Sequence, residues 1–199
     1  SMPAVTYDPV SNRLTVVSGT QQVAATAVWV LTNANGLGGT PAWAQQSPTG
    51  TVPSPRSSTV ALYDDALDRM LILTGDTAAG KTNEAWALGN ATAVGGTPAW
   101  SQSSPAGTPP SGRGSSAGVW RGSSRRATLF GGIVGTDAVN TIWVFAEAQA
   151  VQNGSVAFST AAYSVSESGP TATITVTRTG GSTGAAGVQY ATSNGTATA

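Results

Sequence analysis

The sequence predicts an all-β protein built from repeats of one small β unit, and three observations support this fold class. Tryptophan and arginine recur at one constant spacing, at Trp29, Trp86 and Trp143, at Trp43 and Trp100, and at Arg56 and Arg113. The 25 Gly and 11 Pro favour frequent turns. No segment has the periodicity of an amphipathic helix, whereas short runs rich in Val and Thr suit strands.

Each unit has the same internal layout. Residues 33–56 (NANGLGGTPAWAQQSPTGTVPSPR) align without a gap on residues 90–113 (NATAVGGTPAWSQSSPAGTPPSGR). Upstream, every unit has an aromatic residue, a polar turn, an arginine, a short apolar run and a terminal glycine, at Gly19, Gly75 and Gly132. This order is typical of a hairpin. The spacing from Gly19 to Gly75 is shorter by a single residue than the spacing from Trp29 to Trp86. The difference in length therefore lies in the loop before Trp29.

The second unit shows the predicted strands best. The pattern indicates strands at about 57–63, 69–74, 84–89 and 98–103, with turns at 64–68, 77–83 and 90–97. The other units follow by the repeat spacing. The first unit begins inside its first strand, and the third ends after Trp143-Val144-Phe145 without the GGTPAW strand. We therefore expect roughly eleven strands rather than twelve.

Composition excludes several classes of function. Nine Lys and Arg balance nine Asp and Glu, and only 9% of the residues are charged. Nucleic acid and anionic membranes are therefore improbable partners. Cysteine is absent, so neither disulfides nor thiolate metal sites are expected. No run approaches the ~18 apolar residues of a membrane span. The Ser1-Met2 start resembles a tag scar or a cut point, so we expect the natural N-terminus elsewhere.

The repeated residues resemble those of kelch repeats over about residues 3–147, divided into 1–56, 57–113 and 114–147. The resemblance lies in the glycine-ended apolar strand, the tryptophan strand after a variable loop, the second tryptophan and the Pro-rich stretch ending in arginine. Gly131-Gly132 matches the double glycine of the family, whereas Ser18 and Thr74 depart from it. The resemblance implies four-stranded blades of a β-propeller, here about three and therefore incomplete.

After a linker at 148–154, residues 155–199 resemble the first half of a Calx-beta domain, an immunoglobulin-like sandwich. The resemblance lies in residues 163–167 (YSVSE), an alternating strand from Ala172 to Arg178, a Gly-Gly turn and residues 188–192 (VQYAT). In that strand Ala172, Ile174 and Val176 share one face, which the period of two predicts to be core.

The Calx-beta resemblance also implies a metal site. Glu167 matches the first calcium ligand of the family, but the other ligands would lie beyond Ala199. Because calcium takes six to eight oxygens, we expect no cofactor within these residues and calcium only in the complete domain. The alternative is that Glu167 is a solvated turn residue.

Few residues indicate catalysis. Histidine is absent, which removes the usual general base and the commonest nitrogen ligand of metals. The copper site of kelch oxidases, built from Cys, Tyr and His, cannot be assembled here. The trio Asp64, Asp65 and Asp68 is spaced loosely like a calcium loop, but a hairpin turn explains it better. A pair of carboxylates for glycoside cleavage is not marked by any pattern. We therefore predict no enzyme activity.

Several residues are candidates for ligand binding. Trp29, Trp86 and Trp143 are expected to pack between repeats, since burying one indole removes roughly 150–250 Å² from water. Trp43 and Trp100 follow a GGTPA turn and are the better candidates for exposure. Arg56 and Arg113 are expected either to join repeats through carbonyls or an Asp, or to bind ligand. The loops at 20–28, 76–83 and 133–140 vary between repeats and add Asp76, Lys81 and Asp137.

These observations lead to one main functional hypothesis and two alternatives. The main hypothesis is a non-catalytic extracellular or cell-surface module that binds a protein or glycan ligand, or mediates adhesion, through the variable loops. The alternatives are a calcium-binding Calx-beta surface protein and a non-catalytic fragment of a larger secreted carbohydrate-active or oxidase-like enzyme. An incomplete propeller leaves an unpaired edge and an uncovered apolar face, which favour self-association.

Overall fold

The computed structural model describes residues 3–19, 26–105, 107–146, 155–163, 171 and 173–179. The chain divides into two compact units, Ser1–Ala148 and Gln149–Ala199. The described residues form strands and two 3-10 turns, at Asp65–Leu67 and Gly122–Ser124, and contain no α-helix. The all-β fold class predicted from the sequence is confirmed. No helix in the described part of the chain is long and apolar enough to cross a membrane.

Seventeen strands are described, and most are short. In chain order they are β1 Ala4–Asp8, β2 Arg13–Ser18, β3 Ala27–Thr32, β4 Ala42–Gln46, β5 Thr49–Gly50, β6 Arg56–Ser57, β7 Val60–Asp64, β8 Arg69–Thr77, β9 Gly80–Gly89, β10 Ala99–Ser103, β11 Ala117–Arg121, β12 Arg126–Phe130, β13 Ile133–Val134, β14 Asp137–Ala138, β15 Ile142–Ala146, β16 Ser155–Phe158 and β17 Val176–Thr179.

Three antiparallel sheets account for most of the first unit. The first sheet has the order β1-β2-β3-β4. The second sheet contains β7-β8-β9-β10, with β6 also paired to β8 and β5 added in parallel to β10. The third sheet has the order β11-β12-β15, and β13 and β14 form a separate two-stranded ladder.

The three sheets have equivalent strand registers. Trp29 on β3 lies opposite Val16, and Trp86 on β9 lies opposite Ile72. Trp143 on β15 lies opposite Leu129 in the same way. These pairs are related by the repeat spacing found in the sequence. The sequence period therefore corresponds to a period in the structure.

Two hydrophobic clusters join the sheets. The cluster between the first and second sheets contains Ala4, Val17, Val28, Met70, Ile72, Trp86, Leu88, Ala91 and Trp100. The cluster between the second and third sheets contains Val60, Leu62, Leu71, Leu73, Ala85, Ala87, Ala127 and Leu129. The second sheet is thus buried on both faces, which explains why β8 is apolar at consecutive positions rather than at alternate ones.

The predicted turn at 77–83 is wrong. β8 continues to Thr77 and β9 begins at Gly80, so the turn contains only residues 78 and 79. An ion pair of 2.7 Å between Lys81 Nζ and Asp76 Oδ1 joins the two strands near the tip. The Thr77 hydroxyl donates to the carbonyl of Gly80 and accepts from the Ala79 amide. These local bonds extend the hairpin beyond its hydrophobic part.

The strand predicted at 57–63, which is the first strand of the second repeat, is also displaced. Ser58 has a φ of 55°, which interrupts extended backbone. Two short elements result, β6 at Arg56–Ser57 and β7 at Val60–Asp64, and both pair with β8. The fourth strand, predicted at 98–103, is found at Ala99–Ser103.

The second compact unit, Gln149–Ala199, has one described strand pair. β16 and β17 are antiparallel, with Phe158 opposite Val176. The strand predicted at Ala172 to Arg178 is therefore found later, at Val176–Thr179. Ile174 and Val176, predicted to face a core, are 48% and 41% exposed. Residues 188–192 lie outside the described residues.

Candidate functional site

A cavity of about 380 Å³ lies between the second and third sheets. The base of the β8–β9 hairpin contributes Thr74 and Asn83, and β15 contributes Trp143 and Phe145. The Pro-rich segment after β10 forms another wall, and the Asn83 amide holds this segment by donating to the carbonyl of Pro110 at 2.9 Å. The cavity therefore combines aromatic and amide groups at the edge of two sheets.

The cavity follows from the strand count of the third sheet. In the first two sheets a fourth strand, β4 or β10, covers the edge of the tryptophan strand. The third sheet ends at β15 within the described residues. Residues 143–146 of β15 line the cavity, which shows that this uncovered edge faces it. Sequence analysis found the missing GGTPAW strand but did not predict the cavity beside it.

Glu84 of the lining belongs to a cluster with Arg56 and Trp86, which lie outside the lining. Arg56 Nη2 donates to Glu84 Oε2 at 2.6 Å, and Trp86 Nε1 donates to the same oxygen at 3.0 Å. Burial acts to raise the pKa of Glu84, but the hydrogen bonds from Arg56 and Trp86 outweigh it and lower the pKa below its ordinary value. Among the described residues of the lining Glu84 alone is charged, and Arg56 neutralises it.

A second cluster, around Arg113, has the same arrangement in the next repeat. Arg113 Nη1 donates to the Thr141 hydroxyl and to the carbonyl of Gly131, each at 3.0 Å. Trp143 Nε1 donates to the Thr141 hydroxyl at 3.3 Å, and the guanidinium carbon of Arg113 lies 5.7 Å from the Trp143 ring centroid. A cation at this distance is attracted to the indole face. Arg113 therefore fixes the tryptophan that lines the cavity.

Both arginines thus join chain segments, as one of the two sequence hypotheses held. Arg56 and Arg113 are 7% and 3% exposed. The carboxylate partner of Arg56 is Glu84 rather than the Asp that the sequence suggested.

Trp43 and Trp100 differ in exposure, although their local sequences match. Trp43 is 54% exposed, whereas Trp100 is 4% exposed in the cluster between the first and second sheets. Of the two candidates for exposure named from the sequence, Trp43 is exposed and Trp100 is buried. The reason is tertiary, because Trp100 packs against the first sheet and Trp43 lies on the outer face of that sheet.

The other predicted packing tryptophans lie as follows. Trp86 is buried in the cluster between the first and second sheets. Trp143 packs partly buried against the cluster between the second and third sheets and also lines the cavity. Trp29 is half-buried on the outer face of the first sheet. Sequence analysis assigned Trp143 to packing. The missing fourth strand was the available signal that Trp143 would also line a cavity.

The predicted charged loop residues lie on hairpins. Asp76 and Lys81 bind each other, and Asp137 is exposed on β14. The pairs Asp76–Lys81 and Ile133–Ala138 occupy equivalent positions of successive repeats, yet their residue types differ. Of the first predicted loop, residues 20–25 lie outside the described residues.

The predicted repeat glycines permit close approach of the returning chain. Gly75 has a φ of 125°, and a Cβ there would lie 3.0 Å from the carbonyl oxygen of Ser57. Gly132 has a φ of 101° and would meet the carbonyl of Gly114 at 2.9 Å. The φ of Gly19 lies outside this positive range, but Gly19 packs against Pro55.

Thr74 occupies an unfavourable conformation in the cavity lining. Its φ is 61°, close to the 68° of Gly131 at the equivalent position. A β-branched residue rarely adopts this region. Thr74 is 2% exposed, and its hydroxyl has no hydrogen-bond partner among the residues that the structure describes. The missing first glycine of Thr74-Gly75 was the sequence signal for this position.

The acidic trio forms separate contacts. Asp64 binds Arg69 at 2.8 Å and Arg125 at 3.2 Å, whereas Asp68 accepts hydrogen bonds from Tyr63 and Thr92. No group of three His, Cys, Asp or Glu residues that could hold a metal occurs within the described ranges. Glu167 lies outside the described residues, so the calcium hypothesis stays a prediction.

No protein-family model matches this chain, and no curated protein is detectably similar to it.

Proposed function

We propose that the chain is a non-catalytic binding module of a secreted or cell-surface protein, which holds a neutral ligand in the cavity between the second and third sheets. Kelch-like blades of an incomplete propeller would form the scaffold, followed by half of a Calx-beta sandwich. Three stacked sheets with equivalent registers at Trp29, Trp86 and Trp143 support the propeller part of this proposal. The hairpin tips at Asp76–Lys81 and Ile133–Ala138, which differ in residue type at equivalent positions, support a recognition function.

The observation that carries the proposal is the cavity itself. Its volume of about 380 Å³ falls within the range of roughly 300–1,000 Å³ found for ligand pockets. Its lining combines the aromatic rings of Trp143 and Phe145 with the polar residues Asn83, Ser103 and Thr108. Pockets that recognise ligands have this combination of apolar surface and a few fixed polar groups.

Charge narrows the class of ligand. Glu84, the charged residue of the lining, is already paired with Arg56 at 2.6 Å. A charged ligand would find no uncompensated opposite charge among the described lining residues and would lose hydration on entry. A neutral glycan, which offers hydroxyl groups to amides and an apolar sugar face to Trp143, matches the lining best.

Four of the described carboxylates, those of Asp8, Asp64, Asp76 and Glu84, support a non-catalytic function. Asp64 binds two arginines, Asp76 binds Lys81, and Glu84 binds Arg56. Hydrogen bonds from Ser11 and Val10 occupy Asp8. General acid–base catalysis needs a carboxyl group poised near the working pH, and ion pairing of this kind works against it.

A glycan array probed with the labelled chain tests the proposal. We expect binding to neutral glycans that Thr108→Arg abolishes, because Thr108 is an exposed residue of the cavity lining and arginine would fill the entrance. Thr51→Arg is the matched control, since Thr51 is the equivalent exposed residue of the first repeat and is not in the cavity lining. Equal loss in both variants, or no bound glycan, would contradict the proposal.

A further inference from the structure

The first sheet has one apolar face without a partner in the described residues. Its cross-strand registers bring seven apolar and aromatic side chains to the side opposite the second sheet: Val5, Tyr7, Leu14, Val16, Trp29, Leu31 and Trp43. Three of them are substantially exposed, at 41% for Val5, 39% for Tyr7 and 54% for Trp43. We call this surface the leading face.

The third sheet has an apolar face on its far side. Val119, Phe130, Ile142 and Val144 lie there, opposite the side that packs on the second sheet. Their exposed fractions are 62%, 52%, 66% and 55%. We call this surface the trailing face. Contiguous apolar patches of this kind mark interaction surfaces in soluble proteins.

The second sheet shows what each face packs against. Its residues equivalent to the leading face are Ala61, Tyr63, Met70, Ile72, Trp86, Leu88 and Trp100, and all of them pack between the first and second sheets. Its residues equivalent to Val119, Phe130, Ile142 and Val144 are Leu62, Leu73, Ala85 and Ala87, and these pack between the second and third sheets. A leading face therefore meets a trailing face at both junctions inside the chain.

We propose that copies of this chain associate head to tail, with the trailing face of one copy packed against the leading face of the next. The contact would reproduce between chains the junction that the chain already makes twice within itself. The two surfaces differ, so the interface is heterologous, and an open assembly keeps one free leading face and one free trailing face at its ends until a ring closes. Pairing of like faces would not reproduce this junction, because both internal contacts join unlike faces.

Bulky indole side chains distinguish a leading face from a trailing face. Within the chain, the bulky Trp86 and Trp100 of a leading face oppose the smaller Ala4, Val17 and Val28 of a trailing face. Trp29 and Trp43 are the corresponding residues on the open leading face. Two leading faces would place indoles against indoles, whereas the open trailing face carries Val119, Phe130, Ile142 and Val144 and no indole among its described residues.

Two variants that each block one face test the arrangement. Val119→Glu places a charge on the trailing face at a residue outside the cavity lining, and Val5→Glu places one on the leading face. Burial of an unpaired carboxylate at an interface is strongly unfavourable. By sedimentation velocity we expect concentration-dependent association of the wild type and a rise of at least ~10-fold in the dissociation constant for each variant alone. Val10→Glu is the matched control, because Val10 is 91% exposed and lies in a turn outside both faces.

Mixing the two variants separates this arrangement from the other outcomes. Val119→Glu retains a leading face and Val5→Glu retains a trailing face, so the mixture should form a one-to-one complex that does not grow further. An unfolded variant could not restore association in this way. A wild type that stays monomeric at all concentrations would overturn the proposal and leave these faces to other segments of a longer chain. Loss of association in only one variant, with no complex in the mixture, would indicate pairing of like faces and would also overturn it.

Discussion

Arg56 and Glu84 are distant in the sequence, yet Arg56 Nη2 lies 2.6 Å from Glu84 Oε2. The contact joins the end of a Pro-rich segment to the tryptophan strand of the second sheet. Arg113 and Thr141 form the same contact in the third sheet with a neutral acceptor. Each of these arginines therefore fixes the tryptophan strand that follows it, and only the acceptor has changed.

Substitution of Arg56 by methionine should lower the free energy of unfolding of the first unit by about 2 kcal/mol, because Glu84 would lose a charged hydrogen bond in a half-buried position. All six tryptophans lie between residues 29 and 143, so their fluorescence reports the first unit during urea unfolding. Arg126→Met is the control, since Arg126 is exposed. An equal loss in both variants would show that the ion pair contributes nothing.

The lowered pKa of Glu84 gives this contribution a pH dependence. A carboxyl with a folded-state pKa below its ordinary value of 4.5 stabilises the folded protein above that value, and the contribution is lost as the pH falls through the folded pKa. The difference in unfolding free energy between wild type and Glu84→Gln should therefore shrink as the pH falls from 7 towards about 3.

Asp8 does not disturb this comparison. Burial acts to raise its pKa, but hydrogen bonds from Ser11 and Val10 outweigh burial and lower it. Asp8 is present in both proteins, so its titration cancels in the difference. A difference between wild type and Glu84→Gln that is independent of pH would contradict the assigned direction of the Glu84 pKa shift.

Thr74→Gly should raise the free energy of unfolding of the compact unit Ser1–Ala148 by about 1 kcal/mol. The substitution removes a β-branched residue from a φ of 61° and a buried hydroxyl that has no partner in the described part of the chain. These gains exceed the entropy that glycine adds to the unfolded chain. Gly131→Thr is the reciprocal variant and should destabilise, because Gly131 has the same conformation with a φ of 68°. Thermal unfolding would measure both, and a lower melting temperature for Thr74→Gly would contradict the assignment of strain.

Trp100→Ala and Trp43→Ala should have very different effects on stability. Trp100 is 4% exposed, so its removal should cost about 3–5 kcal/mol, as for other buried aromatic residues. Trp43 is 54% exposed, and its removal should cost under about 1 kcal/mol in a dilute, monomeric sample. Urea unfolding monitored by circular dichroism would compare them. Similar losses would show that the two tryptophans have similar environments.

The strand pattern could be predicted because it depends on local alternation and on the period. The period predicted that the units share one arrangement, whereas the register itself, Val16 with Trp29, Ile72 with Trp86 and Leu129 with Trp143, comes from the structure. The tip of the β8–β9 hairpin could not be predicted, because the ion pair of Asp76 with Lys81 extends strands whose residues are weak strand formers.

The candidate site was harder to predict than the fold. Trp43 and Trp100 have nearly identical local sequences, so only the position of a neighbouring sheet makes one exposed and the other buried. The cavity arises where a fourth strand is lacking in the described part of the third sheet, and its residues Thr74, Asn83 and Trp143 come from distant segments. No local pattern brings such residues together.

The most direct test of the cavity uses the six indole N–H resonances of the ¹⁵N-labelled chain, titrated with the tightest-bound glycan of the array. Trp143 lines the cavity, whereas Trp29 and Trp43 lie on the outer face of the first sheet. Saturable binding should shift the Trp143 resonance and leave those of Trp29 and Trp43 in place. A shift of Trp43 or Trp29 with no change at Trp143 would contradict the proposed site.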